Sequence, residues 1–472
     1  MRRLALLSMS SILLGALAAA PASAAVPATP TVEGPITGPG PMHPAIRLGP
    51  GGTNPDDFDY VAEEYFVSGF AAGTPYKVRV VVRRPSKPNK FSGIVVYEPT
   101  HRGGNALIFQ FARYGILQRG HAGVTVSARQ INLVNPTTPS AGLRLFNPAR
   151  YGSLQVTDNQ SNEILAQIAW LIKSNNPHSP LGSKFRVNGI VMGGTSDSSA
   201  ATRSYMGTVH NGLFRTPDNS PIIDGFFVSS TLGSSPVEMT DVPTIQLPTQ
   251  FEVNGTVGYR RPDSDTPSNR FRIYEVAGMP HNDSRDQPAA AVFPGCGEPL
   301  SRFPHGAMNF MGLQHVIDWA FRGKKPPHAD YMEVNPLPPR AIVFDQLGNA
   351  KGGVRTPHMD VPIYHYIVPN VGPGLCNQSG RQEILPDKVL QQLYKSFGQY
   401  ANKFDHSLDK LEREGFWPSE YTKRYGFDDV RDIKPVLKPI LKAGKHGHVG
   451  RDEDDEDEHE HDRWESQYER VH

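Results

Sequence analysis

The chain has 472 residues, of which 38% are hydrophobic and 20% charged, with a formal net charge of +1 and two cysteines. That length and composition allow a large single-core domain with additions, or two domains, and exclude a disordered or fibrous chain. The segment 451–472 carries eleven acids and three arginines; with it set apart the remainder is only mildly basic, so no nucleic-acid partner is expected.

In chain order, Arg2-Arg3 precede an apolar run over 4–20 and then Ala22-Ser23-Ala24. This small-x-small pattern predicts a cleaved secretory leader over 1–24. A membrane anchor is the competing reading, but Ser8, Ser10, Ser11, Gly15 and Pro21 interrupt a run already short for spanning. No other run is long and apolar enough, so no stable membrane insertion is expected. Residues 25–56, rich in Pro, Gly and Thr, read as an extended lead-in. A single large domain with helical additions is then expected over 57–442, and a disordered, acidic, His-containing tail over 443–472. That tail reads as solvated rather than as a metal site.

Strand patterns fall at 63–69, 76–82 and 93–97, the second alternating and the third continuously apolar. Antiparallel strands leading into buried parallel ones would give that sequence of patterns. After Tyr97 the loop Glu98-Pro99-Thr100-His101-Arg102-Gly103-Gly104 runs into a helical pattern over 106–118. A strand at 123–127, an irregular stretch to 157 and a helix at 163–174 follow. Further strands are expected at 221–228, 242–247 and 270–276, and a helix at 308–322 that stops at Gly323-Lys324-Lys325-Pro326-Pro327. Residues 328–385 are loop-rich and 386–425 helical. Strands interleaved with helices in this order predict an α/β fold with a mostly parallel sheet.

The most informative stretch is 187–200, where the apolar run Gly189-Ile190-Val191-Met192 ends in Gly193-Gly194-Thr195-Ser196-Asp197-Ser198-Ser199. Gly194, Ser196 and Ser198 stand at alternate positions, the spacing of a nucleophile elbow. The central residue of such a turn is strained, and its neighbours two positions away must be small for strand and helix to approach. An ordinary tight turn is the plainer reading; the strand before and the helix-compatible run after favour the elbow. Asp197 would then offer a backbone N–H to an oxyanion, and the loop at Thr100-His101 a second one.

A serine nucleophile needs an imidazole base, and the base needs a carboxylate. Where the nucleophile sits on a strand-turn-helix elbow, the chain order is serine, acid, histidine. His281 follows the strand at 270–276 in Gly278-Met279-Pro280-His281-Asn282-Asp283, a loop at the carboxyl edge; His305, His315 and His328 are the other candidate bases. Glu252 lies just beyond the strand at 242–247 and leads as the acid, whereas Asp263 and Asp265 read more as a solvated turn. Cys296 and Cys376, in a chain expected to mature outside the cytoplasm, predict a single disulfide, the alternative being two separate thiols.

The set Gly194-Thr195-Ser196-Asp197-Ser198, Phe251-Glu252-Val253-Asn254, Tyr274-Glu275-Val276-Ala277-Gly278-Met279-Pro280-His281-Asn282-Asp283 and Gly352-Gly353-Val354-Arg355-Thr356-Pro357 resembles a bacterial family of alpha/beta hydrolase domain-containing proteins, over about 76–425. The resemblance implies the α/β-hydrolase fold, with Ser196 as nucleophile and His281 as base. Three positions depart from the family pattern. Asp197 stands where the family usually has glutamine, Glu252-Val253-Asn254 where it often has Glu-x-Asp, and the asparagine of the first oxyanion loop is replaced near His101.

The expectation is thus a secreted or periplasmic serine hydrolase that cleaves small-molecule carboxylic esters with Ser196, Glu252 and His281. No metal or organic cofactor is required. A non-catalytic or weakly active binding protein of the same fold, or an amidase, lactonase or acyltransferase on the same triad, are the alternatives.

Overall fold

The computed structural model describes residues 24–49, 52–231, 233, 235–288, 292–337 and 340–445. The expected leader, apart from its last residue, and the tail beyond Lys445 lie outside the described residues. Ten strands form one sheet: β1 (Thr31–Glu33), β2 (Tyr60–Ala71), β3 (Thr74–Pro85), β4 (Ile94–Pro99), β5 (Ala122–Val126), β6 (Gly189–Thr195), β7 (Gly225–Ser229), β8 (Thr244–Leu247), β9 (Ser264–Thr266) and β10 (Asn269–Ile273). Their order is β1-β2-β3-β5-β4-β6-β7-β8-β10-β9. The run from β5 to β10 is parallel, while β1, β2 and β3 on one edge and β9 on the other pair antiparallel. This is the expected α/β fold with its mostly parallel sheet.

Residue alternation divides the interior into two cores. Val95 and Tyr97 of β4 face one core, with Ile164, Leu165, Ile168 and Ile172 of the helix Ser161–Lys173. Ile94 and Val96 face the other, with Phe310, Met311, Val316 and Ile317 of the helix His305–Arg322. All six residues of β4 are buried, which is why its sequence reads as apolar without alternation. The helix His305–Arg322 ends at Gly323, in the left-handed region at φ 65°, as its stop signal predicts.

Several elements differ from their sequence patterns. The helix expected over 106–118 is divided into Leu107–Phe111 and Arg113–Gln118 at Ala112 (φ −85°, ψ 8°). The break accompanies an inward turn of Arg113, which is buried and donates to the carbonyls of Thr53 (2.7 Å) and Gln110 (3.0 Å). The lead-in is extended, as expected, but it is also built into the domain. It contributes β1 to the sheet, and its carbonyls satisfy buried cations. Arg79 donates to the carbonyl of His43, and Arg150 to those of Ile36 (2.6 Å) and Gly40 (2.8 Å). Both arginines also bond the fully buried carboxylate of Glu64, which in addition accepts from the Tyr151 hydroxyl at 2.8 Å.

Toward the C-terminus, the helices Asp387–Leu393, Phe397–Arg413 and Asp428–Lys445 build a third core. The last of them runs beyond the expected ends of both the helical region and the domain, despite Pro435 and Pro439. Val430, Ile433, Leu437 and Leu441 recur at helical spacing and are buried, so packing outweighs the proline penalty. Within 328–385 the hairpin of β11 (Tyr364–Ile367) and β12 (Arg381–Ile384) forms a separate small sheet. Beside it Cys296 and Cys376 are joined by a disulfide with a Cα–Cα distance of 5.3 Å. Among the described residues no helix is long and apolar enough to cross a membrane.

Candidate active site

Ser196 lies between β6 and the helix Asp197–Tyr205, with φ 55° and ψ −123°. A non-glycine residue held there is strained, as a nucleophile elbow demands. The turn is locked by Ser198, whose Oγ accepts from the N–H of Thr195 and donates to its carbonyl, both at 2.9 Å. At Gly194 the helix comes so close that a Cβ would collide with the Ser198 carbonyl and lie 2.6 Å from Thr202 Oγ1. The small-x-Ser-x-small pattern is therefore a packing requirement in this chain. The N–H of Ser196 donates to the Ser229 carbonyl at 3.2 Å, while that of Asp197 has no acceptor among the described residues.

Glu252 and His281 lie beyond the carboxyl ends of β8 and β10, on the same sheet edge as Ser196. His281 Nδ1 is hydrogen-bonded to Glu252 Oε1. Glu252 is fully buried, and its other oxygen accepts from Thr249 N–H (2.8 Å) and Thr249 Oγ1 (2.6 Å). Thr249 and Glu252 thus form the capping box of the helix Gln250–Thr256, so the cap that starts the helix also fixes the carboxylate. The His281 loop is steadied in turn. Gly278, at φ 79°, donates to Gln250 Oε1 (2.7 Å), and Asn282 donates to the Gln378 carbonyl (2.8 Å), two residues from the disulfide. Phe251 packs on the His281 ring at 5.3 Å between centroids.

The other candidates are engaged differently, His305 beside the His281 main chain and the rest away from it. His305 is buried and its Nδ1 meets Asn309 Nδ2, His315 bonds the Gly415 carbonyl, and His328 pairs with Asp263. Asp263 and Asp265 serve the buried guanidinium of Arg272. None of these acids is bonded to His281.

The expected backbone donor at Thr100-His101 is not available. The N–H of Thr100 donates to Val126, and that of His101 to Asn105, both at 2.9 Å. The loop folds back on itself because Gly103 and Gly104 follow so closely. Asp197 has a defined partner: its Oδ2 accepts from Arg129 Nη2 (2.6 Å) and from the Arg102 N–H (2.8 Å). Burial works to raise this carboxyl. The bond to Arg129 and its charge, aided by His101 and Arg102, outweigh that and hold it below the usual range. Arg129 and Thr249 were not apparent as site residues from sequence. The spacing Thr249-x-x-Glu252 is a capping-box signal that could have found the second; no local pattern marks the first.

Fold and edge geometry define an α/β hydrolase. The family described as "Alpha/beta hydrolase domain" matches residues 32–425, and the chain belongs to it. No curated protein matches. Among solved structures, the chain is similar to a ferulic acid esterase from Streptomyces cinnamoneus (12% identity, 57% of this chain and 92% of that one, TM-score 0.35). It is also similar to a protein described as a dienelactone hydrolase from Klebsiella pneumoniae (13%, 55% and 98%, TM-score 0.31) and to the esterase Est22 (12%, 40% and 64%, TM-score 0.27). At these identities and TM-scores the likenesses carry no argument about this chain's chemistry.

Proposed function

We propose that this α/β hydrolase is a serine esterase acting on small-molecule carboxylic esters. The observation that carries the reading is the bond from Glu252 to His281 Nδ1, on the sheet edge that also presents a serine at positive φ. With Nδ1 bound to the acid, Nε2 is the ring nitrogen left to take a proton. Ser196 Oγ attacks the ester carbonyl carbon as its proton passes to His281 Nε2. The oxyanion so formed is held by the Asp197 N–H. The bond to the alcohol oxygen then breaks, and His281 returns the proton to that oxygen. Water, deprotonated by His281, attacks the acyl-Ser196, releasing the acid and restoring the serine. Nothing in this cycle calls for a metal or organic cofactor.

The leader pattern over 1–24 and the Cys296–Cys376 disulfide support a mature chain in the periplasm or outside the cell. The test of the activity is turnover of p-nitrophenyl acetate, a p-nitroanilide and a simple lactone by the wild type and by Ser196→Ala. The proposal expects ester turnover in the wild type alone. Preference for the anilide or the lactone would reassign the bond, and no turnover of any of them would point to a non-catalytic member.

A further inference from the structure

An oxyanion formed at Ser196 is usually held by two donors, yet the loop facing the elbow has no main-chain N–H to spare. Besides those of Thr100 and His101, the N–H of Arg102 is bonded to Asp197 Oδ2 (2.8 Å), that of Gly103 to His101 Nδ1 (2.9 Å), and that of Gly104 to the His101 carbonyl (2.8 Å). The same loop holds one side chain whose proton position is settled by its neighbours. Because His101 Nδ1 accepts from the Gly103 N–H, a neutral ring carries its proton on Nε2. That Nε2 has no acceptor among the described residues, and it is not among the buried unpaired atoms, so it faces open space. The bond from the Arg102 N–H to Asp197 Oδ2 places the loop beside the elbow.

We propose that the Nε2–H of the His101 imidazole, in place of a main-chain N–H of its loop, is the second donor to the oxyanion. The inference rests on the acyl-transfer reading above and assigns a catalytic residue within it. The ring is held neutral for this role. Burial is the main cause, with Arg129, His281 and Arg47 adding to it and Asp197 opposing, and together they push its pKa down to about 4. A neutral imidazole polarises an oxygen without donating its proton outright. The donor is also fixed in advance. Arg129 and Asn132 bond the Thr100 carbonyl (2.7 and 3.3 Å), Asn132 the His101 carbonyl (3.2 Å) and Asn135 the Arg102 carbonyl (2.7 Å). Preorganisation of this kind is what makes an oxyanion donor effective.

The experiment compares wild type, His101→Phe and His101→Asn on p-nitrophenyl acetate, together with binding of a trifluoromethyl ketone, which forms an oxyanion adduct with the serine. His101→Phe is expected to lower kcat about 10²–10³-fold with little change in KM, and to weaken the ketone by a similar factor. His101→Asn, which keeps a donor, recovers part of both. As a readout independent of variant folding, 15N NMR of wild-type histidines should show the His101 proton on Nε2, moving downfield when the ketone binds. Wild-type kcat and ketone affinity in His101→Phe, or an Nε2 resonance unmoved by the ketone, would overturn the assignment. If the wild type is labelled at Ser196 by a fluorophosphonate while these outcomes occur, the inference alone fails. If Ser196 is never labelled, the underlying reading fails.

Discussion

Asp197 and Arg129 are joined at 2.6 Å beside the elbow, and this pair accommodates an acid placed directly after the nucleophile. A carboxylate next to the nucleophile would oppose a developing oxyanion. Here its charge is neutralised by Arg129, and its second bond, to the Arg102 N–H, ties the elbow helix to the His101 loop. Arg129→Ala should cost about 1–3 kcal/mol in stability, the usual cost of stranding a partly buried charged group. It should also lower kcat/KM roughly tenfold or more, about 1.4 kcal/mol in transition-state terms. Asp197→Asn should lose less activity than Arg129→Ala. The check is steady-state kinetics beside urea denaturation.

Gly194→Ala should disrupt the elbow. The added methyl would meet the Ser198 carbonyl and Thr202 Oγ1, both on the helix that presents the serine. Overpacking of this sort costs about 1–3 kcal/mol, and because it displaces Ser196, fluorophosphonate labelling should fall further than thermal stability does. Labelling rate and melting temperature of the purified variant decide the matter.

Glu252→Gln keeps the shape of the acid but removes its charge from His281. A loss of up to about 10⁴ in kcat is expected, the scale seen when a triad acid becomes an amide. Thr249→Val removes the hydroxyl that bonds Glu252 Oε2 and should give a smaller loss in the same direction, with destabilisation of about 1 kcal/mol from the lost cap. Equal activity of the Gln variant and the wild type would remove Glu252 from the triad.

How much of this was legible in the sequence differs by element. The elbow, the strands β6, β8 and β10 and the loops that follow them carry local signals: an apolar run, a break, and a polar residue in the break. These place Ser196, Glu252 and His281 on one edge once the strands are taken as parallel. The Arg129 pair, the Glu64 cluster and the use of every N–H in 100–104 depend on residues distant in the chain, for which a single sequence has no spacing rule. The helix Asp428–Lys445 was hidden by its prolines, whose local penalty the buried face of Val430, Ile433, Leu437 and Leu441 overrides.

Glu64 is the anchor of the lead-in. It is fully buried between Arg79 and Arg150, which in turn hold the carbonyls of Ile36, Gly40 and His43. Glu64→Ala leaves two buried guanidinium groups without their counter-charge and should destabilise the fold by about 3–5 kcal/mol. Limited proteolysis should then cut first within 36–43.

Stability should fall on mild acidification. His43, His101, His121 and His315 are pushed down to about 4 and His305 to about 3, mainly by burial. Between those values and about 6.5 the unfolded chain binds protons that the folded chain does not, so stability rises with pH across that window and is lost as pH falls. Glu98 and Asp283, both raised to about 7 mainly by burial, work the other way over much of the same window. His210 is also lowered and Asp405 raised, both mainly by burial, so six groups against three predict a net loss in melting temperature from pH 6.5 to 4, measurable by calorimetry in matched ionic strength.

The central claim is that Ser196 is an activated nucleophile. Its most direct test is mass spectrometry of the mature protein after reaction with a fluorophosphonate. The account predicts one modification, on the peptide that contains Ser196, absent in Ser196→Ala and much slower in His281→Ala. Modification of a different residue, or none in a folded wild-type protein, would contradict it.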